Sequence, residues 1–480
     1  MVFTSFNFLI FFPAVILLYY ASPAKYKTIM LLFASYFFYL NLQPVYVLLL
    51  ITVSLTTYLF AKWISISTNE KKKQQLVTIG VVVVLLPLFF FKYFSFAAES
   101  IASLLVSAGI HMPLPKISFL LPIGISFYTF MAIGYLVDVQ QETVEAERNP
   151  VIVALFLSFF PILLSGPIER AGNMFPQFKS KRTFKAINIE KGLKLMLWGY
   201  FMKMVVADRI ALLVGAIMHN PEMHSGASLF MAVMLYPIQV YGDLGGYSLI
   251  AIGAAKTMGI EVVPNFRRPF FSTSMSEFWR RWHISLISWI TDYIYIPLSY
   301  HFRKYKLTGI VMAIMITFLV AGIWHGAGII FIIWGLIQGT ILSIEAVTKA
   351  ARKKIINRYA LHKKTGFLII CMLFVYFLFA FSEIFGGATS SMDESMYVIN
   401  KIAFEFNGPL FYDSPSLALF IIIGVSLLFF VDWCIEFNKP RLLLFNSRHI
   451  AVRTFGYSCV VILIILIGVL DGGQFIYFKF

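Results

Sequence analysis

The chain has 480 residues, of which 59% are hydrophobic, 17% aromatic and only 13% charged. That balance excludes an ordinary soluble domain and points to an all-α polytopic membrane protein. The formal net charge of +16 does not mark a nucleic-acid binder, because the basic residues lie in short loops between apolar stretches and no DNA- or RNA-binding motif accompanies them.

Residues 1–20 are apolar but lack a basic leader and a small-residue cleavage site, so they read as a retained first span. Apolar stretches at 6–22, 28–42, 45–61, 76–94 and 119–137 follow in close succession. Residues 150–168 are apolar too, but Pro161, Gly166 and Pro167 interrupt them. Spans resume at 189–212 and 228–257. A second broken segment covers 276–298, and the series continues at 308–325, 328–346, 366–385, 416–435 and 453–470. The expectation is a bundle of about 11–12 transmembrane helices. The two broken segments are expected to be re-entrant or interfacial, since irregular backbone is tolerated at membrane depth only where protein or a cavity surrounds it. No fixed repeat and no soluble-sized loop appears, so residues 1–480 read as a single membrane domain.

Basic clusters set the orientation. Lys62 with Lys71 to Lys73, Lys179 to Lys185, His301 to Lys306, Lys349 to Lys364, and Lys439 to Arg453 all belong on the cytoplasmic side. The loop from Gly386 to Ser416 carries Asp393, Glu394, Glu405 and Asp413 against a single Lys401 and belongs outside. The acidic stretch from Asp138 to Glu147 falls inside, and acidic residues weigh little in this rule. Cys371, Cys434 and Cys459 are far apart, with neither a disulfide framework nor a metal-ligand spacing. No metal is expected.

Two segments could carry chemistry. Between Ser274 and Pro297, Ser274 and Glu277 form a capping-box signature for a helix start. At helical spacing Phe278, Trp282, Leu286 and Trp289 share one face, with His283 at its border. This pattern fits an interfacial amphipathic helix, and such a helix can also wall an active site. The second segment is Trp324-His325-Gly326, inside a stretch from Leu307 to Ile344 with no Lys, Arg, Asp or Glu. An ionisable imidazole at that depth is either a functional group or a structural one bonded across a helix interface. Gly322, Gly326 and Gly328 permit close helix approach or a sharp bend. Asp243 could line a cavity or bond an opened helix end. Asp208-Arg209 and Glu169-Arg170 resemble membrane-edge ion pairs. Asp292 and Tyr295 could be partners of a histidine or simply interfacial. His111, His219, His224, His301, His362 and His449 fall in loops and receive no role. A Walker A loop, a Gly-x-Ser-x-Gly elbow and a paired carboxylate set are missing, which removes most ATP-driven and serine-hydrolase chemistry but not transport.

The order of motifs along the chain resembles the membrane-bound O-acyltransferase (MBOAT) family, and within it the bacterial alginate O-acetylation (AlgI-like) branch. The motifs are the start Val2 to Leu9, Leu121 to Phe130, Ser165 to Arg170 with Phe175 to Phe178, Gly242 to Ser248, Asn265 to Pro269, Glu277 to Ser285, Asp292 to Pro297, Ile323 to Gly326 and the closing Tyr477 to Phe480. Leu244-Gly245 and Ser165-Gly166 depart from the pattern usual in that branch. The resemblance implies a helical bundle around a central tunnel, with His325 and His283 as the family histidines and His325 the catalytic one. It implies acetyl-coenzyme A as the acyl donor on the cytoplasmic side, in a bacterial inner membrane. It also implies an extracytoplasmic polysaccharide acceptor, reached directly or through a secreted or periplasmic acetyltransferase partner.

The chemistry is consistent with that implication. Acyl transfer to a hydroxyl needs a base, and burial keeps an imidazole neutral and basic at pH 7. His325 is expected to be that base, with Trp324 packing the tunnel wall against water. His283 would bond the donor or acceptor, or the developing oxyanion. Arg280 and Arg281, with Arg267 and Arg268, could hold coenzyme A phosphates or lipid headgroups. The alternatives are D-alanyl or other acyl transfer from a carrier protein, a proton-coupled transporter with midplane His and Asp, and a non-catalytic scaffold for a secreted acyltransferase.

Overall fold

Serines start several of the apolar helices. Ser5 Oγ accepts the Phe8 N–H at 3.3 Å ahead of Phe6–Ala21. Ser225 and Ser414 do the same for Gly226–Val240 and Pro415–Glu436. Each satisfies one of the N–H donors that a helix start leaves without an intrahelical partner. In a computed structural model the chain is described over residues 1–107, 109 and 120–470, and every regular element among the described residues is a helix. Residue 119, His111 and the closing motif Tyr477 to Phe480 lie outside the described residues.

The twelve expected spans coincide with helix over most of their described residues, but in the span 119–137 residues 120–124 are not helical and the helix starts at Ile125. Among the described residues, eight helices are long and apolar enough to cross a membrane: Pro44–Ile66, Glu70–Phe94, Gly226–Thr257, Arg303–His325, Ile329–Arg358, Thr365–Ala388, Pro415–Glu436 and Ile450–Ile467. Phe6–Ala21 is apolar but shorter. Lys27–Leu40 has 14 residues and Ile125–Gln140 has 16. At a helical rise of about 1.5 Å per residue, both fall short of a hydrocarbon core about 30 Å thick. The stretch 189–212 is divided between Ala186–Tyr200, a π-helical turn Phe201–Ala207, and Asp208–His219.

The chain forms two compact units. One comprises Met1–Leu195 with Ala251–Val263, the other Met196–Ile250 with Pro264–Phe480. In the first unit the broken segment is two short helices, Pro150–Ser158 and Phe160–Leu163. Both are lined with buried side chains, and Phe160 N–H donates to Ser35 Oγ at 3.1 Å. Protein therefore satisfies the interrupted backbone. Gly124 has φ +78°, and a Cβ there would stand 2.2 Å from Leu163 O, so only glycine fits. Glu169 does more than face the charge of its neighbour Arg170. It is 1% exposed, and its carboxylate accepts from Val263 N at 2.6 Å, Arg170 N at 3.2 Å and Asn173 Nδ2 at 2.9 Å.

In the second unit, helices Lys306–His325 and Ile329–Arg358 form a hairpin packed nearly backbone to backbone. A Cβ at Gly322 would lie 2.2 Å from Phe331 O, and one at Gly335 would lie 2.4 Å from Phe318 O. Gly322 is thus required by close approach. Gly326 is required by the turn, where a Cβ would meet the Phe331 ring at 2.0 Å.

The same unit contains a buried charge cluster built on two π-helical turns, Phe201–Ala207 and Tyr241–Gly245. Lys203 Nζ lies 2.8 Å from Asp208 Oδ1 and 2.6 Å from Asp243 Oδ1. All three residues are at most 5% exposed. Asp208 pairs with Lys203 and not with its neighbour Arg209, whose Nε donates to Ile467 O at 2.5 Å. Nearby, the Tyr241 hydroxyl donates to Asp432 Oδ2 at 2.9 Å. Removing one member of a buried ion pair strands the others, at a cost of about 3–5 kcal/mol. We therefore expect Lys203→Met to destabilise the protein by that order, as a marked fall in the thermal unfolding midpoint in detergent. An unchanged midpoint would show that the cluster does not hold this unit together.

Candidate active site

The sequence Ser274 to Pro297 starts a helix as its capping box prescribes, but that helix does not run through. Ser274 Oγ accepts the Glu277 N–H at 3.2 Å, and Glu277 Oε2 reaches back to Thr273 N at 2.9 Å. Met275–Arg281 then ends at Trp282, which is extended, and His283 takes a left-handed conformation with φ +45°. The helix restarts as Ile284–Ile290. A left-handed histidine costs of order 1–3 kcal/mol and persists only where its surroundings impose it.

Asn265 imposes it. Its backbone carbonyl accepts from Ile284 N at 2.8 Å, and its side-chain Oδ1 accepts from Ser285 N at 3.3 Å and Ser285 Oγ at 2.9 Å. Its Nδ2 donates to Ser248 Oγ at 3.0 Å. Arg267 N adds a bond to Arg281 O at 2.8 Å. The 100° face drawn from sequence is interrupted here, although Phe278, Trp282, Leu286 and Trp289 are all buried.

The break presents His283 to a narrow cavity of about 30 Å³. His283 and His325 both line it, with Trp279, Trp282, Trp334, Phe379, Leu244 and Glu383 among its walls. His283 is 2% exposed and His325 is half-buried at the C-terminal end of its helix. Trp324 sits beside both imidazoles, its ring centre 6.2 Å from that of His283 and 4.9 Å from that of His325. Trp334 stands edge-on to His325 at 4.7 Å and 72°. Burial pulls the pKa of His283 below the ordinary histidine range, so this imidazole is uncharged at neutral pH.

The arginines divide. Arg281 is engaged by Glu277 Oε1 at 2.7 Å and Glu436 Oε1 at 2.8 Å, and Arg268 Nε by Glu436 Oε2 at 2.7 Å. Arg267 and Arg280 are exposed. Asp292 is also exposed, and neither it nor Tyr295 lines the cavity. Among the described loop histidines, none lines it either.

Sequence reasoning missed Asn265, Trp334 and Glu383. The signal for Glu383 was present: it is a lone carboxyl at the end of an apolar span, from Gly366 to Ile384. Asn265 opens one of the motifs that carry the family resemblance, but its role at the His283 turn was hidden because its partners lie 17 and 20 residues away.

An all-helical membrane chain with two imidazoles at one enclosed cavity has the parts of a membrane-embedded transferase. The pattern of the membrane-bound O-acyltransferase family matches residues 19–385, and the chain belongs to that family. It is 37% identical to the probable alginate O-acetylase AlgI of Azotobacter vinelandii, over 72% of this chain and 68% of that protein. It is 28% identical to the peptidoglycan O-acetyltransferase of Helicobacter pylori, over 96% of this chain and 93% of that one. A teichoic acid D-alanyltransferase of Bacillus subtilis is 28% identical over 66% of this chain and 80% of its own length. The chain is an O-acyltransferase that uses an acyl donor.

Asn265→Ala removes three side-chain hydrogen bonds at the turn that carries His283. The stability cost expected for such stranded groups is about 1–3 kcal/mol each. Acyl transfer should fall further than stability accounts for, because His283 loses its imposed conformation. Thermal unfolding and activity measured on the same sample check this, and full activity would show that the turn does not hold a functional histidine.

Proposed function

We propose that this enzyme is an O-acetyltransferase of the bacterial cytoplasmic membrane. It takes an acetyl group from acetyl-coenzyme A on the cytoplasmic side and delivers it for esterification of an extracytoplasmic polysaccharide, with His325 as the general base. A secreted or periplasmic acetyltransferase partner completes delivery where the sugar is not reached directly. The observation that carries this reading is the convergence of His283 and His325, from separate helices, on one cavity walled by tryptophans. The names of the alginate and peptidoglycan relatives support acetyl as the group and a polysaccharide as the acceptor.

The chemistry follows from the side chains. A hydroxyl entering the cavity gives its proton to the neutral imidazole of His325 as its oxygen bonds the thioester carbonyl carbon. The C–S bond then breaks, and the proton held by the imidazolium passes to the departing thiolate. His283, neutral because it is buried, offers an N–H to the oxyanion without introducing a charge of its own. Trp279, Trp282 and Trp334, with Trp324 beside the histidines, keep out the water that would hydrolyse the donor. Exposed Arg267 and Arg280 can meet the donor's phosphates. Arg281 contributes by holding Glu277 and Glu436. The identity to a teichoic acid D-alanyltransferase favours one second reading, aminoacyl transfer from a carrier-bound thioester.

His325→Ala should lower transfer of radiolabelled acetyl from acetyl-coenzyme A by at least about 100-fold, with protein level and membrane insertion unchanged. Wild-type turnover in that variant would end the assignment. The pH profile separates the two histidines. The pKa of His283 is displaced downward, so His283 stays neutral through the pH range in which an ordinary imidazole titrates. An acid limb of the activity profile near neutral pH would therefore come from a group other than His283. We expect His283→Asn to lower the plateau while leaving the midpoint of that acid limb in place. A displaced midpoint would assign the limb to His283.

A further inference from the structure

Among the described residues, Glu383 is the one carboxyl group lining the cavity that holds both histidines. It ends the helix Thr365–Glu383, just before a π-helical turn, Ile384–Ala388, in which Gly387 has φ +129°. It is 6% exposed. A carboxyl group in an apolar interior is retained only where something is gained from it. Here Oε1 accepts the indole N–H of Trp334 at 2.9 Å. Trp334 in turn presents its ring edge-on to His325, with ring centres 4.7 Å apart. Carboxylate, indole and imidazole therefore form a contiguous chain, and its last member is the proposed base.

Two further observations show that this chain is built to hold its geometry. A Cβ at Gly386 would come within 2.7 Å of Trp334 Nε1 and 2.8 Å of Glu383 Oε2. The position is therefore emptied to let the indole and the carboxylate meet. One turn along, Gln338 Nε2 donates to Ser382 Oγ at 2.6 Å, and Ser382 Oγ donates to Phe379 O at 2.6 Å. Trp334 and Gln338 lie four residues apart on one helix, and Glu383 and Ser382 are neighbours on the other. Two polar ties side by side fix the helices Ile329–Arg358 and Thr365–Glu383 to each other at the level of the cavity.

We propose that Glu383 is a positioning residue of this site: by holding the Trp334 indole it fixes the ring against which the His325 imidazole is oriented for acyl transfer. Without an acceptor the buried indole N–H has reason to turn toward another partner, and the wall beside His325 turns with it. The group that matters is the acceptor oxygen and not a proton carried by the carboxyl. A glutamine, which keeps a carbonyl oxygen in the same place, should substitute for it. This inference rests on His325 being the base.

The test compares Glu383→Ala, Glu383→Gln, Trp334→Phe and His325→Ala in proteoliposomes, with acetyl-coenzyme A as donor and thiol release as the readout. It is paired with fluorine NMR of fluorotryptophan-labelled protein, in which the Trp334 resonance is identified by its loss in Trp334→Phe. A misplaced reacting group costs on the order of 100-fold. Glu383→Ala and Trp334→Phe should lower kcat by that order with KM for acetyl-coenzyme A unchanged, and Glu383→Ala should move the Trp334 resonance. Glu383→Gln should leave the resonance in place and restore most of the kcat. Wild-type kcat in Glu383→Ala would overturn the proposal. So would a Glu383→Gln variant as inactive as the alanine, because the carboxyl would then be carrying a proton. If Glu383→Ala does not accumulate, Trp334→Phe decides, and wild-type turnover there overturns the proposal. His325→Ala keeps the two readings apart. Turnover in that variant removes the base assignment, whereas its inactivity beside an active Glu383→Ala removes only the positioning role.

Discussion

Hydrocarbon offers no hydrogen bonds, so every polar group this chain carries into the membrane must find its partner in protein or face a cavity. Several buried sites in the structure meet that requirement. The interrupted backbone at Phe160 is met by Ser35, and Lys203 is met by two aspartates. The left-handed turn at His283 is held by Asn265, and the indole of Trp334 by Glu383. His325 and His283 both line one cavity.

The geometry at the two histidines depends on packing that is not itself polar. Gly322 and Gly335 let the hairpin helices approach until backbone meets backbone, and Gly326 clears room for the turn under the Phe331 ring. This fixes the end of the helix at which His325 stands. Trp324 and Trp334 then set apolar rings against the imidazoles, which leaves these few ways to turn.

Much of this was legible in the sequence. Unbroken apolar runs gave the helices, because length and hydropathy suffice where the backbone must bond to itself. The histidines stood out because ionisable groups are costly at that depth. Other features were hidden. The spacing of Phe278, Trp282, Leu286 and Trp289 reads as one amphipathic helix, since periodicity cannot register a break imposed by an asparagine distant in the chain. Asp208 beside Arg209 reads as a pair by adjacency, yet the π-helical turn at Phe201–Ala207 brings Lys203 to Asp208 instead. Glu383 is visible as a lone carboxyl, but its bond to Trp334 joins two helices whose register no local pattern reveals.

The central claim is that the cavity between His283 and His325 is where the acyl group changes hands. The most direct test is a structure with a non-hydrolysable thioether analogue of acetyl-coenzyme A. The account predicts its acyl carbon in that cavity, with an imidazole nitrogen of His325 placed to reach, within about 3 Å, an oxygen attacking that carbon. An analogue whose acyl carbon lies outside the cavity, with Trp324 or Trp334 closed between it and His325, would contradict the account.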